Sequence, residues 1–210
     1  MKEFSTEQID YLKSAVMTEM SFNRFRHTLG VELMAKAIGE ICMPNKVDVI
    51  SVAARLHDIS KEYSEAEHLS LMEKHGIVMS DEDRNVPLIW HSITGPLVVM
   101  EDFPEFASEE VFSAIRNHTT GSPDMSLLDE IIFISDYIEF NRTAEDCVAL
   151  RNKLLSSIEK CQDEEACIRL IHMAVVESLE NNIGFLSARH RKIHGKTMLT
   201  RDAIKAKIER

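Results

Sequence analysis

Glycine and proline are scarce in this chain, with seven and five in 210 residues. Segments alternating at period two are few as well, which leaves little room for sheets and their turns. Stripes at helical spacing run through most of the sequence, and they predict an all-α fold. No apolar run approaches the roughly eighteen residues of a membrane span. The opening MKEFSTEQIDYLKS lacks the zones of a signal peptide, so a soluble, cytoplasmic protein with no membrane partner is expected. Cys42, Cys147, Cys161 and Cys167 form no CxxC pair and no secreted-domain spacing, and they read as free thiols filling the core. Basic residues are also too few: the formal net charge of −11 argues against nucleic acid as a partner. A polyanionic small molecule stays open, because the field in a cleft follows local charge.

What the chain does have is a histidine followed directly by an aspartate inside an apolar helix. In VDVISVAARLHDISK, Ile50, Ala53 and Ala54 recur at helical spacing, and His57 continues the stripe. An imidazole and a carboxylate then face inward together. A buried carboxylate is costly unless paired or bound to a cation, and a metal would supply that cation. The dipeptide alone reads equally as a satisfied core histidine beside a solvated aspartate.

Four further residues of ligand type sit in similar settings. His27 heads the stripe Val31, Met34, Ile38 and Ile41, and His118 lies in line with Val111, Ala114 and Ile115, just before the helix stop Thr119, Thr120, Gly121. Asp136 interrupts MSLLDEIIFISDYIEF, among the most apolar stretches, and His91 follows the only tryptophan in a helix expected to be interrupted by Gly95 and Pro96. Each alone is open to a structural reading. Jointly, one ligand from each of several helices is how metal sites are built inside helical bundles.

The segments RFRHTLGV, RLHDISKE, WHSITGP, RNHTTG and DYIEFNR, in this order, resemble the HD-domain metal-dependent phosphohydrolases, most closely the YqeK type, the symmetrical diadenosine tetraphosphatases. The resemblance covers about residues 20–145, and Phe140 stands where that type usually has proline. It implies an HD-type helical bundle, while the chain's length predicts a single domain over 1–210 with a helical extension from about 146. It also implies hydrolysis of diadenosine tetraphosphate to two ADP by a metal-activated hydroxide. Two divalent or mixed-valent metal ions are expected, iron by resemblance, while a nitrogen and oxygen donor set equally suits manganese, cobalt or zinc. His27, His57, Asp58 and Asp136 are expected around one metal and His91 and His118 around a second, with Asp58 bridging. Asp58 and Lys61 are the catalytic candidates. Lys61, Thr119, Thr120, Gly121 and Arg142 are candidates for the nucleotide's phosphates, with Arg24, Arg26 and Arg116 weaker. Another HD-domain nucleotide phosphohydrolase and a non-catalytic nucleotide or metal sensor are the competing readings, and a homodimer is left open.

Along the chain, helices are expected near 5–19, 22–42, 46–60, 86–103, 108–118, 126–139, 143–160 and 163–194, with a final basic one after Thr200. Ser64 with Glu67 and Ser126 with Asp129 have capping patterns. IVMSDEDRNVP reads as an acidic loop or flap. His68, His75 and His172 read as solvated or edge residues, and His190 and His194 as a chance pair on one helix.

Overall fold

The computed structural model describes residues 3–161 and 163–209, and regular structure among them is helical. The α-helices are α1 (Thr6–Glu19), α2 (Phe22–Cys42), α3 (Val47–Leu56), α4 (Glu65–Lys74), α5 (Asp81–Arg84), α6 (Trp90–Asp102), α7 (Glu109–Asn117), α8 (Leu127–Ile138), α9 (Glu145–Ile158), α10 (Glu164–Ala188) and α11 (Gly195–Ile208). Both predicted caps form: Ser64 and Ser126 accept from the backbone N–H three residues on, while Glu67 and Asp129 return a bond to the cap. None of the described helices is long and apolar enough to cross a membrane.

The helical stripes meet in one buried cluster. Val31, Met34 and Ile38 of α2 join Ile50, Ala53 and Ala54 of α3 and Leu128 and Ile132 of α8, whereas Ile41 turns to the surface. Ile171, Val175 and Leu179 of α10 and Ile204 of α11 belong to the same cluster. α10 therefore packs on both α8 and α11, and helps hold the helix that carries Asp136.

A buried ion pair ties the first three helices together. Arg55 of α3 donates from Nε to Glu32 Oε2 at 2.8 Å and meets Glu32 Oε1 through Nη2 at 2.8 Å, and it also bonds the carbonyl of Ile9 in α1. The fork geometry satisfies both carboxylate oxygens where water has no access.

Several boundaries differ from the sequence expectation. The helix expected over 46–60 ends at Leu56, and i→i+3 turns follow, with Ile59 N–H on Leu56 O, Lys61 N–H on Asp58 O and Tyr63 N–H on Ser60 O. Pro96 does not interrupt α6: it is buried within the helix, where packing outweighs the roughly 3 kcal/mol cost of an interior proline. The helix expected to reach 194 stops at Ala188, because His190 takes a left-handed φ of 51°, and α11 starts at Gly195 rather than after Thr200. The acidic stretch 77–87 is not a free loop. Its α5 anchors the start of α11, with Glu82 accepting from Gly195 N–H at 2.7 Å and Asp83 meeting His194 Nε2 at 3.0 Å.

Candidate metal centre

The early end of α3 puts His57 and Asp58 inside the protein, at 0% and 4% exposure. His57 is the C-cap of α3, and its Nδ1 lies 2.6 Å from the carbonyl of Ala54. His118 repeats the arrangement at the end of α7, with Nδ1 2.7 Å from the carbonyl of Ile115. A carbonyl oxygen only accepts, so each Nδ1 carries the proton and each Nε2 offers its lone pair inward. Such tautomer fixing is the usual outer support of a metal-binding histidine.

Asp58 divides these ligands between its two oxygens. Oδ1 lies 3.4 Å from both His91 Nε2 and His118 Nε2, while Oδ2 lies 3.4 Å from His57 Nε2 and 3.7 Å from His27 Nε2. Within each group the spacing is closer: His91 Nε2 to His118 Nε2 is 3.0 Å, and His27 Nε2 to Asp136 Oδ1 is 3.0 Å. The structure thus brings together all six of the expected ligands. His27, His57 and Asp136 form one set with mutually close donor atoms, and His57, Asp58 and His118 another.

The electrostatics fit a cation. Burial works against an ionised Asp58, but the imidazoles of His57 and His118 beside it hold it well below the usual carboxylate range. Burial also disfavours charge on His27, yet Asp136 and Glu139 beside it outweigh this and raise the imidazole to about 9. His91 is pushed well down by burial and by the neighbouring His118 and Lys61. His57 Nε2 and Asp58 Oδ1 are buried without a hydrogen-bond partner. Orphaned donors and acceptors of this kind are costly, and a bound metal ion is what their chemistry fits.

The residues around the ligands fall into distinct positions. Lys61 is no surface lysine: its Nζ lies 3.1 Å from His91 Nε2, and burial lowers its pKa. Thr119 Oγ1 is 3.2 Å from both His91 Nε2 and His118 Nε2. The Thr120 carbonyl accepts from Thr200 Oγ1 at 3.3 Å, and Gly121, with φ of 71°, packs on Thr200. Arg142 pairs with Asp136 through Nη2 at 3.2 Å, and Arg24 with Asp58 Oδ2 through Nη1 at 2.6 Å. Arg26 is exposed, and Arg116 pairs with Glu109 instead.

Glu139 is the residue that sequence reasoning missed. It is 2% exposed, its Oε1 lies 3.3 Å from His27 Nδ1, and its Oε2 accepts from Asn141 N–H at 2.6 Å. It therefore supports His27 as the Ala54 and Ile115 carbonyls support His57 and His118. A signal was present in DYIE, a second acid three residues beyond Asp136. His68 was also misjudged as solvated: it is buried, with Nδ1 2.8 Å from Thr94 Oγ1, which meets Ser60 Oγ at 2.9 Å. Ser60 in turn donates to the His91 carbonyl, so this network backs the His91 helix. His172 is held at 2.5 Å by the buried Glu130.

An all-α scaffold with histidines and aspartates from five helices gathered around one carboxylate defines a metal-dependent hydrolase centre of the histidine–aspartate type. The HD domain family model matches residues 24–141. The chain belongs to the HD domain family, whose centres bind divalent metal, and it is an HD-domain phosphohydrolase. It is similar to the symmetrical bis(5'-nucleosyl)-tetraphosphatase of Bacillus subtilis, at 26% identity over 89% of this chain and 92% of that one. It is also similar to the Staphylococcus aureus protein of the same name, at 32% identity over 64% and 68%. Among solved structures, a predicted HD superfamily hydrolase of Clostridium acetobutylicum, described as involved in NAD metabolism, superimposes with a TM-score of 0.80 at 26% identity. That match covers 98% of this chain and 100% of the other.

Proposed function

We propose that this chain hydrolyses diadenosine tetraphosphate symmetrically, giving two ADP, with two metal ions, iron in the native protein, held by His27, His57, Asp58, Asp136, His91 and His118. The observation that carries this reading is the division of Asp58, one oxygen facing His91 and His118 and the other facing His57 and His27. When bound, paired divalent ions activate water for attack on phosphorus and neutralise phosphate oxygens. The four unbridged thiols fit a reducing cytoplasm.

The protein's own residues orient the substrate. Lys61, held beside His91, donates to a phosphate oxygen and offsets charge that grows as the P–O bond breaks. Thr119 places a hydroxyl on the same side. Arg142 is 45% exposed on its Asp136 anchor, which leaves its fork free to take a phosphate in bidentate fashion. Arg24, whose Nη1 lies 2.6 Å from Asp58 Oδ2, supplies a second guanidinium beside the centre.

The test is incubation of metal-loaded protein with diadenosine tetraphosphate, with products resolved by chromatography beside His57→Ala. ADP as sole product from the unaltered protein supports the reading. AMP with ATP, or no turnover, overturns it. A metal content near one per chain contradicts the dinuclear centre.

A further inference from the structure

The segment after α10 builds a wall that the metal centre does not use. At the end of α10, Arg191 N–H bonds the Leu186 carbonyl and His190 N–H bonds the Ser187 carbonyl, with His190 in the left-handed region. This is the bonding of a Schellman cap, whose turning residue is usually glycine. A non-glycine residue there is strained, and the strain is held in place by the α5 contacts to His194 and Gly195. Asp83 also accepts from Trp90 Nε1 at 2.8 Å through its carbonyl, so the wall is fastened to the helix that carries His91.

Between this wall and the turn at 85–89 that precedes α6 lies a cavity of about 370 Å³. Thr119 lines it, and Thr119 Oγ1 stands 3.2 Å from the His91 and His118 nitrogens, so the cavity reaches a residue that borders the second ligand pair. Ile89 and Leu186 give it apolar sides, Asn182 an amide, and Arg191 and Lys192 two cations. Neither cation has an ion-pair partner among the described residues, on a chain whose net charge is −11. Free cations beside an apolar slot of a size that takes small molecules match a molecule with one flat apolar end and one anionic end.

We infer that this cavity is the subsite for one nucleoside diphosphate half of the substrate. The base lies between Ile89 and Leu186 with its edge on the Asn182 amide, and the phosphates run past Arg191 and Lys192 toward the metals. The C-terminal extension thereby supplies substrate affinity while the histidine and aspartate core supplies the chemistry. The inference rests on the reading of the substrate as a dinucleotide polyphosphate.

Calorimetric binding of ADP and of inorganic pyrophosphate to the metal-loaded full chain tests it. The double substitution Arg191→Ala with Lys192→Ala is expected to weaken both ligands by about 10-fold or more, as loss of charge-assisted contacts does. Leu186→Trp, which fills the apolar slot, is expected to weaken ADP by about 10-fold and leave pyrophosphate within about twofold, because only the nucleoside is excluded. Asn182→Ala serves as the slot variant if thermal melting shows that Leu186→Trp does not fold. Metal content stays unchanged in each, and KM for diadenosine tetraphosphate rises with little change in kcat. Unaltered ADP affinity in the folded variants overturns the subsite, even where the protein hydrolyses diadenosine tetraphosphate. Failure of the unaltered protein to hydrolyse that substrate, with ADP binding still lost in the variants, removes the proposed reaction and keeps the subsite.

Discussion

Gly30 and Glu139 are in direct contact across the α2–α8 junction: a Cβ on Gly30 would collide with the Glu139 carboxylate and come within 2.7 Å of Asn141 Nδ2. Gly30 lies on α2 close to one turn beyond His27, so the glycine makes the room in which Glu139 reaches the His27 ring. Glycine inside a helix costs roughly 0.5–1 kcal/mol relative to alanine. Here that cost secures a ligand's orientation.

Gly30→Ala is therefore expected to lower metal affinity by about 10- to 100-fold although it touches no ligand, as loss of an outer support does. Glu139→Gln, which keeps the shape and removes the charge, is expected to show a smaller loss of the same kind. Competition with a chromophoric chelator measures both. An alanine variant that binds metal as tightly as the unaltered protein sinks the support role.

Asp58→Asn is expected to cost more bound metal than His27→Ala, His57→Ala, His91→Ala or His118→Ala. Each histidine serves one side of the carboxylate, whereas Asp58 faces both. Elemental analysis after dialysis gives the number per chain. Equal losses across the five variants would argue that Asp58 does not bridge.

Metal binding and folding are coupled through the orphaned atoms of His57 and Asp58. Free metal at about 100 times its Kd is expected to add about 2.7 kcal/mol to unfolding free energy, for a single site that the unfolded chain lacks. Thermal melts with and without chelator show the difference. A melting temperature indifferent to metal would mean that these atoms gain nothing from it.

Arg55→Met is expected to destabilise the protein by about 3–5 kcal/mol, because it leaves Glu32 charged and buried without its partner. The double variant Arg55→Met with Glu32→Leu is expected to recover much of that loss. Urea titration of the three proteins tests it, and a double variant no more stable than the single one would contradict it.

His190→Gly is expected to raise stability by about 1 kcal/mol, since a left-handed φ costs an L side chain about that much and glycine nothing. The urea midpoint should rise with an unchanged slope.

The parts of this molecule legible in the sequence are those set by local periodicity. The inward faces of His27, His57 and His118 followed from the stripes they extend, and the Ser64 and Ser126 caps from residues three positions away. What stayed hidden depends on distant partners. Glu139 meets a ring 112 positions earlier, and the acidic stretch at Glu82 and Asp83 is explained only by Gly195 and His194. His68 looked solvated because its neighbours in sequence are charged, while its partner, Thr94, lies on another helix. The end of α3 at Leu56 was equally hidden, since the residues after it are as compatible with helix as with tight turns.

The Nδ1 atoms of His57 and His118 rest on main-chain carbonyls in the last turns of α3 and α7, where a helix leaves such oxygens without full partners. No side-chain mutation deletes a main-chain oxygen. Random variation can therefore reach these two ligands only by changing the histidines themselves or unwinding the helix ends. His27 stands differently, because its support hangs on the Glu139 side chain and the bare Cα of Gly30. Mutational fragility in this centre is uneven, and it gathers on the α2 side.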